Sequence, residues 1–219
     1  MIALVDYGMG NLRSVANAFE AIGEKPVITH SRAEIESAAG IVLPGVGAFG
    51  DGMKNLRRLE LIETLNREVL EKKKPYLGIC LGMQFLTDES EEHGLHKGFG
   101  WIKGRIREIK PADKRYKVPH MGWNELQILK EGGLFQGLPE APVFYFVHSY
   151  HLEPAEPGVI TAVCRHGAEV TAAVEKENIV GVQFHPEKSQ RVGLQLLKNF
   201  VRMVKEHAEK TADTCSHPA

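Results

Sequence analysis

Three cysteines in 219 residues, Cys80, Cys164 and Cys215, are odd in number and share no short spacing. That disfavours a disulfide framework or a zinc site, and a reducing cytosol is the expected setting. No apolar run approaches the ~20 residues that cross a bilayer. The chain passes from Met1 straight into the strand-like "IALVDYG", with no basic stretch and cleavable apolar segment, so no secretory leader is expected. Neither sign of charge dominates: 27 Lys and Arg against 28 Asp and Glu leave a formal net charge of −1, which argues against a nucleic-acid surface built on bulk positive charge. Repeats, low-complexity tracts and linker-like stretches are also missing. What is present is ordinary globular composition, 43% hydrophobic and 25% charged, in a chain long enough to bury a core unaided. One domain is expected over residues 1–209, with 210–219 a fraying tail.

The first half alternates short apolar runs ("IALVDY", "PVIT", "GIVLPG", "PYLGIC") with longer amphipathic stretches. Leu56, Leu59, Ile62, Leu65 and Val69 recur at spacings of three and four, predicting one long helix there. Continuous apolar strands between amphipathic helices predict βαβ units and a parallel sheet covered on both faces. The second half ("WIKGRIREIK", "PVFYFVHSYHL", "VITAVCRHG", "VTAAVEKENIVGVQF") reads as strands, largely antiparallel, with a hairpin turn at 176–178. A closing helix is expected over 189–209. The fold class is α/β, a parallel core with added antiparallel strands.

The chemistry begins at "YLGICLGMQFL", where Cys80 stands between Gly78 and Gly82. G-x-C-x-G is the cysteine form of the nucleophile elbow, a sharp strand-to-helix turn that lifts its middle residue above the sheet. Backbones nearly touch at the flanking positions, so those must be small. The start of the following helix favours a thiolate, and the N–H of Leu81 is one oxyanion donor. A buried structural cysteine is the alternative. A thiol nucleophile needs a base, and "GVQFHPEKS" offers one. His185 is held extended by Pro186, and Glu187 at i+2 points to the same side of an extended chain. Cys80, His185 and Glu187 then make a triad. "LPGVGAFGDG" supplies a glycine-rich loop whose Val46 N–H is a candidate second oxyanion donor; a plain turn, or a phosphate loop without the usual nucleotide motif, is the alternative.

These residues resemble the triad-type, class-I glutamine amidotransferases, in which a glycine-flanked cysteine elbow and a late H-P-E sit on a flavodoxin-like α/β fold. "DYGMGNLRSV", "LPGVGAFGDGM", "GICLGMQ", "PHMGWN" and "HSYH" extend the likeness over nearly the whole chain. The resemblance is greatest to members that feed ammonia to a separate (β/α)8-barrel cyclase in histidine biosynthesis. It implies that Cys80 attacks the side-chain amide of glutamine, with His185 taking the thiol proton and protonating the departing ammonia. Water then hydrolyses the glutamyl thioester. It further implies that Gly47, Gln84 and Glu92 hold glutamine, with Ser149 and Tyr150 near its α-amino and carboxylate ends. Glu92 lies in the acidic run "TDESEEHG", so a solvated face is its alternative. No cofactor is implied.

Ammonia released into neutral water becomes ammonium, which is no nucleophile, so a partner must take it through a dry passage. "GMGNLR", with Asn11, and "PHMGWN", with Met121 and Trp123, are the expected docking segments, and Lys188 is expected to pair with an acid on the partner. Core packing is the alternative for Met121 and Trp123. His148 with His151, and His93 with His96, have H-x-x-H spacing but no matched third ligand, so a metal is not expected. Cys164 reads as packed in a strand, Cys215 as a bystander and "EKKKP" as a solvated helix end. Competing readings are the glutaminases of anthranilate or aminodeoxychorismate synthesis, a cysteine peptidase of similar fold, and an interaction module without activity. "CLGMQ" with "PHMGWN" disfavours the first, the H-P-E placement the second, and the intact triad the third.

Overall fold

The computed structural model describes residues 1–215. Its centre is an eight-stranded sheet in the order β2-β1-β3-β4-β14-β13-β12-β9. These strands are β1 Ile2–Val5, β2 Val27–Thr29, β3 Gly40–Gly45, β4 Tyr76–Cys80, β9 Gln127–Ile128, β12 Ile160–Arg165, β13 Glu169–Lys176 and β14 Ile179–Val182. The four runs expected as parallel strands form β1 to β4, all parallel. Alternate residues divide between two cores. Leu4, Val42, Leu77 and Ile79 join Phe19, Phe184, Leu197 and Phe200 on one side. Val5, Ile41, Leu43 and Tyr76 join Leu56, Leu65, Met83 and Phe85 on the other. A period of two with both faces apolar is what a sheet covered on both sides requires.

On the first face lie α1, Leu12–Glu20, and the closing helix α6, Gln190–Cys215. The closing helix runs six residues past its expected end at Glu209; residues 216–219 of the expected tail lie outside the described residues. On the second face lies α2, Arg32–Ser37, and there the stretch expected as one helix is broken. It comprises α3, Phe49–Arg58, then Leu59 and Glu60, then α4, Leu61–Asn66, and a π-helical turn, Arg67–Glu71. Glu60 adopts left-handed angles (φ 54°), which ends one helix and re-aims the next. Leu56, Leu65 and Val69 are still buried, because both pieces keep their apolar side on the sheet. The lysines of "EKKKP" are not merely solvated: Lys72 and Lys74 pair with the fully buried carboxylate of Glu68 at 2.9 and 2.7 Å.

The second half departs from expectation in one respect that matters. β12 and β13 are antiparallel, and Glu177 and Asn178 turn β13 into β14. β14, however, runs parallel beside β4, in register from Ile179↔Tyr76 to Val182↔Ile79. The remaining strands leave the central sheet. β8, His120–Glu125, pairs with β10, Val143–His148. β11, Tyr150–Pro154, pairs with β7, Gly104–Glu108, which pairs with β5, Glu89–Ser90, and β5 with β6, His96–Lys97. "PVFYFVHSYHL" is therefore cut at Ser149 into strands of two different sheets. Cys164 is packed in β12 as expected, and burial pushes its thiol up to about 12.

Candidate active site

Cys80 closes β4, and α5, Leu81–Gln84, begins at the next residue. Its backbone sits at φ 54°, ψ −109°, a region that side chains avoid. The flanking glycines are required by contact. A Cβ on Gly78 would lie 2.5 Å from the Gly82 carbonyl oxygen, and one on Gly82 would run into the backbone of Leu43. α5 is a single turn, so its dipole offers less to a thiolate than the expected helix would. A different donor is present. The register Val182↔Ile79 sets Gln183 beside Cys80, and its Nε2 donates to Sγ at 3.6 Å.

On the same side His185 donates from Nδ1 to Glu187 Oε1 at 2.8 Å, both side chains being nearly inaccessible. The expected pair forms by another route. His185 is extended (φ −106°, ψ 94°), but Pro186–Lys188 is a 3₁₀ turn, and that turn, not strand alternation, brings the carboxylate back to the imidazole. The turn is fixed from outside. The Ser189 hydroxyl donates to the His185 carbonyl at 2.6 Å and accepts from the Tyr145 N–H at 3.0 Å. Gly193 of α6 has no Cβ to strike the Pro186 carbonyl. With Nδ1 committed to Glu187, Nε2 is the atom left for Cys80; it is buried and has no hydrogen-bond partner among the described residues.

Burial alone would lower the His185 pKa, but the Cys80 and Glu187 side chains outweigh it and push it up to about 9. A histidine raised from 6.5 in the unfolded chain to about 9 contributes stability that is complete below pH 6.5 and lost as pH rises through 9. Urea unfolding across that range should show a falling stability that is absent in His185→Gln. Equal slopes for the two proteins would mean that the imidazolium is not stabilised here.

A cleft of about 700 Å³ opens over the thiol. Among its lining are Cys80, Leu81 and Val46, the expected nucleophile and oxyanion donors, and Gly47, Gln84, Glu92, Ser149 and Tyr150, the expected glutamine contacts. Leu81 is buried at the start of α5; Val46 is exposed on the loop after β3, whose last residue, Gly45, is paired with Cys80. Glu92 is no merely solvated acid: its Oε2 accepts the Phe49 N–H at 2.7 Å, tying the acidic run to the start of α3. Gln84 Nε2 donates to the Tyr150 carbonyl and to Gln183 Oε1, both at 3.0 Å.

Gln183 and the cleft residue Glu108 escaped the sequence reading, which weighed His148 only as a metal ligand. Gln183 carried a signal, since it lies two residues before His185. His148 belongs to a buried relay. Its Nδ1 donates to the Tyr150 carbonyl at 2.8 Å, and its Nε2 accepts from His120 Nδ1 at 3.0 Å. Burial lowers His148 to about 3 and His120 to about 4, so both stay neutral and brace the cleft wall. Both ring nitrogens of His148 are thus engaged in hydrogen bonds.

The expected docking residues are at the surface. Met121 and Trp123 are 61% and 51% exposed, so core packing does not account for them. Trp123 packs edge-on against Tyr145 (5.8 Å between ring centroids), over which the Lys188 ammonium lies at 5.4 Å. Asn11 caps α1 by accepting the Ser14 N–H, and α1 packs on the Pro186–Lys188 turn.

Residues 3–204 match the family model described as glutamine amidotransferase class-I. The chain is 48% identical to the imidazole glycerol phosphate synthase subunit HisH of Zymomonas mobilis, over 91% of this chain and 94% of that protein. It is 47% identical to the protein of the same name from Aquifex aeolicus, over 91% and 95%. Among solved structures, one described as a glutamine amidotransferase superposes with a TM-score of 0.73 at 17% identity, covering 94% of this chain and 100% of that one. PurLQS from Thermotoga maritima gives 0.71 at 18%, covering 92% of this chain and 97% of that one. At such identities the structural likeness speaks for the fold alone.

Proposed function

The chain belongs to the class-I glutamine amidotransferases, in the family of the imidazole glycerol phosphate synthase subunit HisH, and from that membership we propose how its residues work. As a member it acts on the side-chain amide of glutamine, as one subunit of the synthase complex. Cys80 is the nucleophile. His185 Nε2 takes the thiol proton, while Glu187 holds the opposite nitrogen and supports the imidazolium. The N–H groups of Leu81 and Val46 receive the developing oxyanion. His185 then protonates the leaving ammonia, and water hydrolyses the thioester to glutamate. Gly47, Gln84, Glu92, Ser149 and Tyr150 hold the substrate. The observation that carries this assignment is the 2.8 Å His185–Glu187 bond beside a thiol at the tip of a strained elbow.

Ammonia passes to a (β/α)8-barrel cyclase partner, which forms imidazole glycerol phosphate and an aminoimidazole carboxamide ribotide. Met121, Trp123, Lys188 and Asn11 face that partner in a heterodimer. A cytoplasmic setting suits a thiol that must stay reduced. The docking segment also abuts the loop carrying Val46. Gly10 lies against the Pro44 carbonyl, and a Cβ on Gly47 would stand 2.8 Å from the Met9 methyl. Pressure on Met9–Asn11 therefore reaches Gly45–Gly47, and we infer that the loaded partner completes the oxyanion hole.

Glutamate release measured with and without the cyclase and its ligand tests this. Weak turnover for the isolated chain and an increase of ~10²-fold or more in the loaded complex is expected, the size of effect that a single oxyanion donor supplies. Full turnover without a partner would rule out the gate.

A further inference from the structure

Outside the triad, the most constrained polar side chain at the site is Gln183, which is completely buried. We infer that Gln183 is a positioning residue that gives the Cys80 sulfur its hydrogen-bond donor and fixes Gln84 so that it meets glutamine as an acceptor. The inference rests on Cys80 being the nucleophile and goes beyond it.

The direction of each bond follows from counting hydrogens. A backbone carbonyl only accepts, so the end of Gln84 lying 3.0 Å from the Tyr150 oxygen is its NH₂. The second hydrogen of that NH₂ goes to Gln183, also at 3.0 Å, so Gln183 turns its oxygen towards Gln84. Its own NH₂ must then face Cys80, and Nε2 stands 3.6 Å from Sγ. Neither amide can flip without placing two donors or two acceptors together in a buried site. The Gln183 main chain is pinned as well, its N–H donating to the Ala172 carbonyl at 2.9 Å.

Two consequences follow. A donor aimed at sulfur favours the thiolate over the thiol, so Gln183 assists attack without touching substrate. And Gln84, which lines the cleft, has spent both of its hydrogens on protein. What it offers glutamine is its oxygen, which recognises an N–H group of the substrate and is of no use to a carboxylate.

The test uses Gln183→Met, which keeps the volume and removes the amide. Iodoacetamide alkylation of Cys80 is followed by mass spectrometry of the Cys80 peptide across a pH series, with no glutamine or partner needed. At pH 7 alkylation should slow several-fold, and the difference should disappear at high pH, where sulfur is ionised in both proteins. In the loaded complex, KM for glutamine should rise ~10-fold, the cost of losing a buried hydrogen-bond anchor. A purely structural Gln183 would leave the alkylation profile unmoved. An unmoved profile with unchanged KM in a folded variant overturns the inference and leaves Cys80 as nucleophile, which the wild-type labelling reads separately. If Gln183→Met does not fold, Gln84→Met breaks the same chain one link away. It should slow alkylation too, although Gln84 does not touch sulfur, and an unchanged rate there overturns the inference equally.

Discussion

Replacing Cys80 with alanine should abolish glutamate release, a fall of at least about 10⁴-fold in kcat, because the proposed thioester forms on its sulfur. Glycine at the same place should abolish it equally, and comparing the two variants reads the elbow itself. At φ 54°, ψ −109° a side chain is held where only glycine is comfortable, at a cost of ~1–3 kcal/mol. Alanine keeps that strain and glycine releases it. Cys80→Gly should therefore be at least as stable to urea as Cys80→Ala, the reverse of the usual ~0.5–1 kcal/mol advantage of alanine. Alanine winning by its ordinary margin would show an unstrained elbow, and glutamine hydrolysis by Cys80→Ala would remove Cys80 from the mechanism.

The elbow was legible because everything that makes it lies within five residues. Gly78 and Gly82 mark a close approach, and the strand before them is a continuous apolar run. The same holds for β1 to β4, whose both-faced burial shows as unbroken hydrophobic stretches. His185 and Glu187 were legible as a pair for a reason that the structure replaces: a 3₁₀ turn, not an extended strand, joins them. Residue types at a spacing can fit two backbone paths, and only the folded chain chooses between them.

What stayed hidden depends on contacts distant in sequence. The break at Glu60 has no glycine or proline to announce it, and the left-handed residue there is an exposed glutamate. The cut at Ser149 divides one apolar run between two sheets, a choice made by partners at 104–108 and 120–125. Gln183 is 103 residues from Cys80, and its one signal, a place two residues before His185, does not say what it touches. It meets the thiol because β14, the expected antiparallel hairpin arm of β13, also lies next to β4 and parallel to it. That one adjacency also carries His185 to Cys80, so the proposed catalytic pair depends on a topology that local pattern does not encode.

Gly82→Ala should be the most damaging small substitution in the chain. The added Cβ would overlap the Leu43 carbonyl oxygen, an atom locked in β3 between β1 and β4. No flexible side chain can yield there; either α5 lifts from the sheet or β3 shifts against both neighbours. Backbone overlap in a close-packed interior belongs to the severe class of substitutions, and a loss above ~4 kcal/mol is expected, enough to unfold many domains of this size. Gly158→Ala is the control, because its Cβ meets nothing within 4 Å and no positive φ is required. It should be neutral or stabilising by a few tenths of a kcal/mol. Urea midpoints of the two variants measure the difference. If Gly82→Ala unfolds close to wild type, then α5 can move away from β3 at little cost, and the glycine at the +2 position is not what holds Cys80 in place.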